Sequence, residues 1–302
     1  MSIKGDHVLS ANDLESTSLI IRSIAELFPK SGLLVEPAFL TEELSLSPCI
    51  PLGSDVPETS HGLALQIDPI DGSKSFDNWK CERDCPLPRP GSAISLAAVC
   101  PELTDILVSA LYCFDLGDVF SSIYIGKDAT GNPQYASFLN GTLLRPLILL
   151  DKEPAIEAKR RVLSGNYNSK ALMEIARLEL ALMERGLNAA YGGLTGSTAM
   201  DIVNVVRGSF CACVDVRSLC GKGGSVPRWY DAAGALAIAL GRGLKVIATD
   251  SQGQRLSGGD HDIYTPVAFV VTRPEHETQI IDAIRSTVAS GFLRQEAYQV
   301  AG

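Results

Sequence analysis

Apolar and polar positions follow two different periods along this chain. In residues 12–28, NDLESTSLIIRSIAELF, the residues Leu14, Ile20, Ile21, Ile24, Leu27 and Phe28 fall on one stripe at helical spacing. That spacing predicts an amphipathic helix, with Asn12 as its cap. Residues 45–62 are rich in Ser, Pro and Gly and read as a loop. GLALQID then alternates, with Leu63, Leu65 and Ile67 on one face, and predicts a strand that breaks at Pro69. A second long loop runs from Asn78 to Gly91 and carries Pro86, Pro88 and Pro90. SAISLAAVC, DILVSALYCFD and DVFSSIYIG follow as three β-type runs joined by short turns, the signature of an antiparallel meander.

After about residue 150 the rhythm changes. RRVLSG reads as a strand, SKALMEIARLELALMERGL and GSTAMDIVNVVRG as helices, and SFCACVDV as a strand. YDAAGALAIALGRG is a further helix and LKVIATD a further strand. Alternating β and α elements point to α/β architecture in this half, against α+β in the first. We therefore expect two subdomains, 1–150 and 151–302, without internal repeats.

Composition narrows the class. The 302 residues are 46% hydrophobic and 20% charged, which suits one large or two medium globular domains. No stretch reaches the roughly 18 uninterrupted apolar residues of a membrane helix. MSIKGDHVLS lacks the basic-then-apolar order of a signal peptide, so a cytoplasmic protein is expected. A net charge of -9 argues against a nucleic-acid polymer as partner and suits a group of acids that gathers cations. In such a chain the eight cysteines are not expected to form a disulfide framework. Cys81-x3-Cys85 and Cys211-x-Cys213 are not zinc spacings, and the four histidines are scattered.

The acids carry the chemistry. Asp68 and Asp71 flank Pro69 at a strand end, a place where α/β sheets keep ligands, and Gly72 and Ser73 follow. Two close carboxylates repel unless a proton or cation lies between them, and Mg²⁺ is the natural hard cation for oxygen donors. An Asx-type turn, with both acids bonded to nearby amides, is the plain alternative and stays open. Glu42 and Glu43 in FLTEEL read, alone, as solvated surface. Asp231 in RWYDAAGALAIAL stands at a helix start, where an acid ordinarily caps the helix. GSTAMD opens a helix with a small-residue turn that can offer free amides to an anion.

Taken in order, E-E, D-P-I-D-G-S about 25 residues on, G-S-T-A and W-Y-D-A-A-G resemble the inositol monophosphatase superfamily, from about Lys4 to about Ser257. That resemblance implies a layered α-β-α-β-α sandwich, an N-terminal antiparallel sheet with a C-terminal α/β half, and a Mg²⁺-dependent, lithium-sensitive phosphatase. It implies two or three Mg²⁺ ions. One would sit on a glutamate, Asp68 and the Ile70 carbonyl, a second on Asp68, Asp71 and Asp231, and a weaker third near the glutamate. Matching by letters gives Glu42 as that glutamate; the family's Phe-Pro and short apolar run deliver Glu36 instead, and both are carried. The catalytic hydroxyl and its orienting acid map to Ser73 and Asp13, and the substrate contacts to Gly72, Ser73, Gly196, Ser197, Thr198 and Asp215. Arg217 and Arg228 would grip a second phosphate, and Lys4 would belong to a mobile loop over the metals.

The resemblance further implies a small phosphate ester as substrate, inositol monophosphate and/or fructose 1,6-bisphosphate, and a homodimer. DGSKSF is also close to the D-G-T-K-x-F form of 3'(2'),5'-bisphosphate nucleotidases, which makes that activity the alternative. A descendant that binds metal or phosphometabolite without turnover is the rival from another class. By the same resemblance a further helix would be expected before residue 1, and the segments at 77–91 and 218–227 are longer than the family pattern leads one to expect.

Overall fold

The structure, a computed structural model, describes residues 2–4, 7–9, 11–27, 38–40, 64–72, 91–100, 105–147, 160–165, 171–190, 195–220, 226–256 and 265–293. A short hairpin of β1 (Ser2–Lys4) and β2 (His7–Leu9) leads into α1 (Ala11–Leu27). The helix begins at Ala11, so Asn12 lies inside its first turn and is not the expected cap. Asp13, Thr17 and Ile21, four residues apart, share its buried face.

Strands β3 (Ala38–Leu40), β4 (Ala64–Asp71), β5 (Ala93–Cys100), β6 (Asp105–Cys113), β7 (Asp118–Lys127), β8 (Pro133–Leu139) and β9 (Thr142–Leu143) form one sheet in that order. The predicted meander is its centre. β3 pairs with β4 in parallel, and every later pair is antiparallel. The alternation read from the sequence holds: Leu65 and Ile67 pack with Ile21 of α1 on one face.

β4 does not break at Pro69. It runs on to Asp71, pairing Asp68 with Ser95 and Asp71 with Ala93, so three steps on β4 match two on β5. That is a bulge, and it accommodates a residue without an N–H to give to the ladder.

The second sheet has the order β11 (Asn188–Ala190), β10 (Arg161–Ser164), β12 (Ala212–Asp215), β14 (Ala268–Thr272), β13 (Lys245–Thr249). Its first three strands are parallel, as α/β alternation predicts, and the last two join antiparallel. Helices α2 (Leu172–Met183) and α5 (Glu277–Ala289) pack on it through Ile175, Leu178, Ile280 and Ile284, against Val162, Val214 and Val270.

Helices α3 (Thr198–Val206) and α4 (Trp229–Gly241) share one core with both sheets, in which Leu111, Phe120, Ile202, Ile238 and Phe269 are buried. The layers are thus α1, sheet, α3 and α4, sheet, then α2 and α5. The close approach of α4 has a clear cause. Across the sheet, Ala97, Ser109, Ser122 and Ser137 are register neighbours, a row of small side chains. A Cβ at Gly234 would lie 3.1 Å from both the Leu96 carbonyl and the Ser95 hydroxyl, and one at Gly241 would overlap the Ser137 hydroxyl. Ser137 Oγ itself donates to the Ile238 carbonyl at 2.8 Å.

Candidate active site

The bulge of β4 delivers Asp68, Ile70 and Asp71, all buried, at the strand's end. The Ile70 amide donates to Asp68 Oδ1 at 3.2 Å, so the Asx-type turn left open by the sequence is present. Asp71 does something longer in range. Its Oδ2 accepts from the Ser197 hydroxyl and from the Ala199 amide, each at 2.6 Å, and its Oδ1 from the Thr198 amide at 3.2 Å. A carboxylate from the first sheet thereby satisfies amides at the start of α3 that have no partner within the helix. Ser197, the N-cap of α3, also accepts from the Met200 amide at 3.1 Å.

Gly72 follows with φ +86, a region that favours glycine, and a Cβ there would come 3.1 Å from Ser197 Cβ. Both the turn and the contact require it. Burial pushes the Asp71 carboxyl up to about 6, against its three hydrogen bonds and the Arg217 charge, which favour the ionised form.

Behind this contact lies a buried acid the sequence reading passed over. Asp201, in the first turn of α3, accepts from the Thr195 hydroxyl at 2.7 Å. Thr195 Oγ1 also reaches the Ser197 carbonyl at 3.0 Å and accepts from the Ser197 amide at 3.2 Å, so it pins the turn through Gly196. Burial raises Asp201 to about 7; the Asp71 and Asp215 charges add to the rise, while Thr195 and Arg217 oppose it. The only sequence signal was the acid that ends GSTAMD, in the first turn of the helix, a position where a helix start explains it fully.

Asp215, at the end of β12, meets Arg217 two residues on. The guanidinium Nη2 donates to Asp215 Oδ2 at 2.6 Å and Nε to both oxygens at 3.0 Å, and the Arg217 amide adds a bond of 3.1 Å to Oδ1. Both side chains are buried. Gly165, also passed over, makes room for this fork: a Cβ there would lie 2.5 Å from the Asp215 carboxyl. The charges of Asp215, Asp201 and Asp231 all favour the charged guanidinium, against its burial. Asp231, in the first turn of α4, accepts from the Arg228 amide through Oδ2 at 2.7 Å, as a helix-start acid should.

Asp71, Gly72, Ser197 and Thr198 are thus in contact, Asp215 and Arg217 form a pair, and Arg228 meets Asp231 through its backbone. Asp13 is buried on α1, and Lys4 pairs with His7 in the first hairpin. Glu36, Glu42 and Ser73 lie outside the described residues. Among the described residues, no group of three His, Cys, Asp or Glu side chains is gathered as a metal cage.

The sequence profile of the inositol monophosphatase family matches residues 3–289. The chain belongs to that family. Membership makes it a phosphatase of this superfamily, with a phosphate ester as the class of substrate. Its fold is that of solved relatives. One is a hypothetical protein of Pyrococcus horikoshii with similarities to inositol-1 monophosphatase, 19% identical, covering 92% of this chain and 84% of that one at TM-score 0.59. The Thermotoga maritima inositol monophosphatase is 18% identical, covering 94% and 85% at TM-score 0.59. A staphylococcal inositol monophosphatase solved with inositol monophosphate is 18% identical, covering 92% and 85% at TM-score 0.57. No curated protein matches the chain by sequence. Among the described residues no helix is long and apolar enough to cross a membrane.

Proposed function

We propose that this family member is a Mg²⁺-dependent phosphomonoesterase, cytoplasmic and homodimeric, acting on a small sugar or polyol phosphate, inositol monophosphate and/or fructose 1,6-bisphosphate. One observation carries the reading: a single bulge buries Asp68, Ile70 and Asp71 together at a strand end and sets Asp71 against the start of α3. The donors suit Mg²⁺, being hard oxygens without thiolate or imidazole. Burial raises the Asp71 carboxyl, and a divalent cation beside it would restore the charged form. Asp68, Asp71, Asp231 and the Ile70 carbonyl would hold the metal, with a glutamate. When bound, Mg²⁺ supplies a Lewis acid and lowers the pKa of a coordinated water.

The direction of β3 favours Glu42 over Glu36 as that glutamate. β3 runs parallel to β4 with Leu40 opposite Gln66, so the chain leaves β3 toward the level of Asp68. Glu42 follows Leu40 by two residues, whereas Glu36 precedes Ala38 by two.

In this reading, Gly72 and the turn through Gly196, Ser197 and Thr198 hold phosphate oxygens and the neighbouring sugar. Asp215 accepts from a substrate hydroxyl, and its fork with Arg217 fixes its orientation. Asp13 orients the Ser73 hydroxyl toward the attacking water. Arg228 approaches the far phosphate of a bisphosphate.

The test is phosphate release by metal-stripped protein with Mg²⁺ restored, with and without lithium, on inositol 1-phosphate, fructose 1,6-bisphosphate and adenosine 3',5'-bisphosphate. Mg²⁺-dependent, lithium-inhibited release from the first two is expected. Preference for the third would establish the nucleotidase, a reading favoured by one observation: the staphylococcal enzyme has also been solved with 2'AMP. No release from any would leave the binding-protein reading. Light scattering of the purified protein at the mass of one chain would refute the dimer.

A further inference from the structure

We propose that the C-terminal end of α3 holds a second anion site, built by Arg242 and Arg273, which takes a phosphate group, free or carried by a small metabolite. Arg242 directly follows α4, and its Nε donates to the Val206 carbonyl, the last residue of α3, at 3.2 Å. Arg273 directly follows β14, and its Nη2 reaches the Gly208 carbonyl at 3.5 Å. Both arginines are only 7% exposed. Two guanidiniums from different elements therefore converge on one helix end.

Among the described residues, no carboxylate forms an ion pair with either arginine, and Arg273 Nε is buried without a partner. Glu275, two residues from Arg273, is exposed and does not pair with it. Arg242 is pushed below its ordinary pKa, first by burial and then by the Arg273 charge, so the two feel each other.

The helix end compensates only in part. It offers the equivalent of about half a negative charge against two full positive ones, a shortfall of about 1.5. A phosphate group at neutral pH carries about 1.5 to 2 negative charges. The donors left over, the Arg242 Nη groups and the remaining edge of Arg273, are fork-shaped N–H groups suited to its oxygens. Arg145 and Arg207, both exposed, stand on the segments beside this end of α3: Leu147 donates to the Arg242 carbonyl at 3.0 Å, and Arg207 follows Val206. In a chain of net charge -9, two buried arginines converging on one helix end are a local arrangement. The nine residues of α3 separate the site from Asp71 by about 12 Å at 1.5 Å per residue.

The experiment uses metal-free protein in chelator, so its outcome is independent of turnover. Thermal unfolding is followed with inorganic phosphate, and in parallel with inositol 1-phosphate. At a hundredfold excess over Kd, phosphate is expected to raise Tm by about 4 °C for a chain of this size. That rise should persist in Asp71→Asn and vanish in Arg242→Gln and Arg273→Gln. A larger rise with the ester assigns the site to a metabolite; an equal one assigns it to free phosphate. No rise at all, or a rise retained in both arginine variants, overturns the proposal. So does a rise lost only in Asp71→Asn, which puts the ion at the other end of α3. Should the arginine variants not fold, wild-type crystals soaked in selenate decide: an anomalous peak between Arg242 and Arg273 is expected, and its absence overturns the site.

Discussion

Asp201→Asn isolates the electrostatic cost of this acid cluster. In the folded chain Asp201 keeps its proton up to about pH 7, where an ordinary aspartate loses it near 3.8. Between those values the folded state binds more protons than the unfolded one. The stability this confers is full below the unfolded value and is lost as pH rises through the folded one. The span from 3.8 to about 7 corresponds to roughly 4 kcal/mol, at about 1.36 kcal/mol per unit.

Asparagine keeps an oxygen to accept the Thr195 hydroxyl but never ionises. Metal-free Asp201→Asn should therefore match wild type near pH 4 and exceed it by up to roughly 4 kcal/mol at about pH 8. Urea unfolding of both proteins in chelator, at about pH 4, 6 and 8, measures the difference directly. A difference that does not grow with pH would refute the reasoning, because it would mean that Asp201 ionises as freely inside the fold as outside it.

Asp68→Asn should abolish Mg²⁺-dependent phosphate release while the protein stays folded by circular dichroism; activity near wild type would remove Asp68 from the metal site. Gly241→Ala should destabilise the chain by roughly 1–3 kcal/mol through overlap with Ser137, read as a lower urea midpoint. Combining it with Ser137→Gly should recover part of that loss, and no recovery would mean the clash lies elsewhere. Arg228→Ala should raise KM for fructose 1,6-bisphosphate more than for inositol 1-phosphate. Equal effects on the two substrates would take Arg228 out of the substrate site.

Local pattern was enough for much of the fold. The helical stripe through Ile20, Ile21 and Ile24, the alternation of Leu65 and Ile67, the antiparallel meander and the small-residue helix after Tyr230 all appear in the structure close to their predicted bounds. These are patterns that burial imposes directly, since a face against a core must be apolar at the period of its backbone. Their ends were harder to read. Asn12 fell inside α1, and Pro69 did not stop β4, because pairing with β5 carries the strand across it through a bulge. The three-residue strand β3 was too short for its alternation to stand out in sequence. It is defined by its pairing with β4.

The acids divide in the same way. The family could be read from the order of the motifs that carry Asp68, Asp71 and Asp231, because each motif is contiguous and carries its own turn chemistry. What each carboxylate touches could not. Asp71 meets Ser197 across 126 residues of chain, and Gly165 yields its side-chain space to Asp215. The pKa of Asp201 comes from burial and from two other acids brought near by packing. Arg242 and Arg273 are unremarkable letters 31 positions apart until two elements deliver them to the same helix end. Sequence by itself determined most of the elements, because those rest on local period and local turns, and its motifs pointed to the family and so to the layered class. Which charges are buried, paired or left over was decided only by tertiary structure, because desolvation and Coulomb energy depend on distances the chain acquires when its layers close.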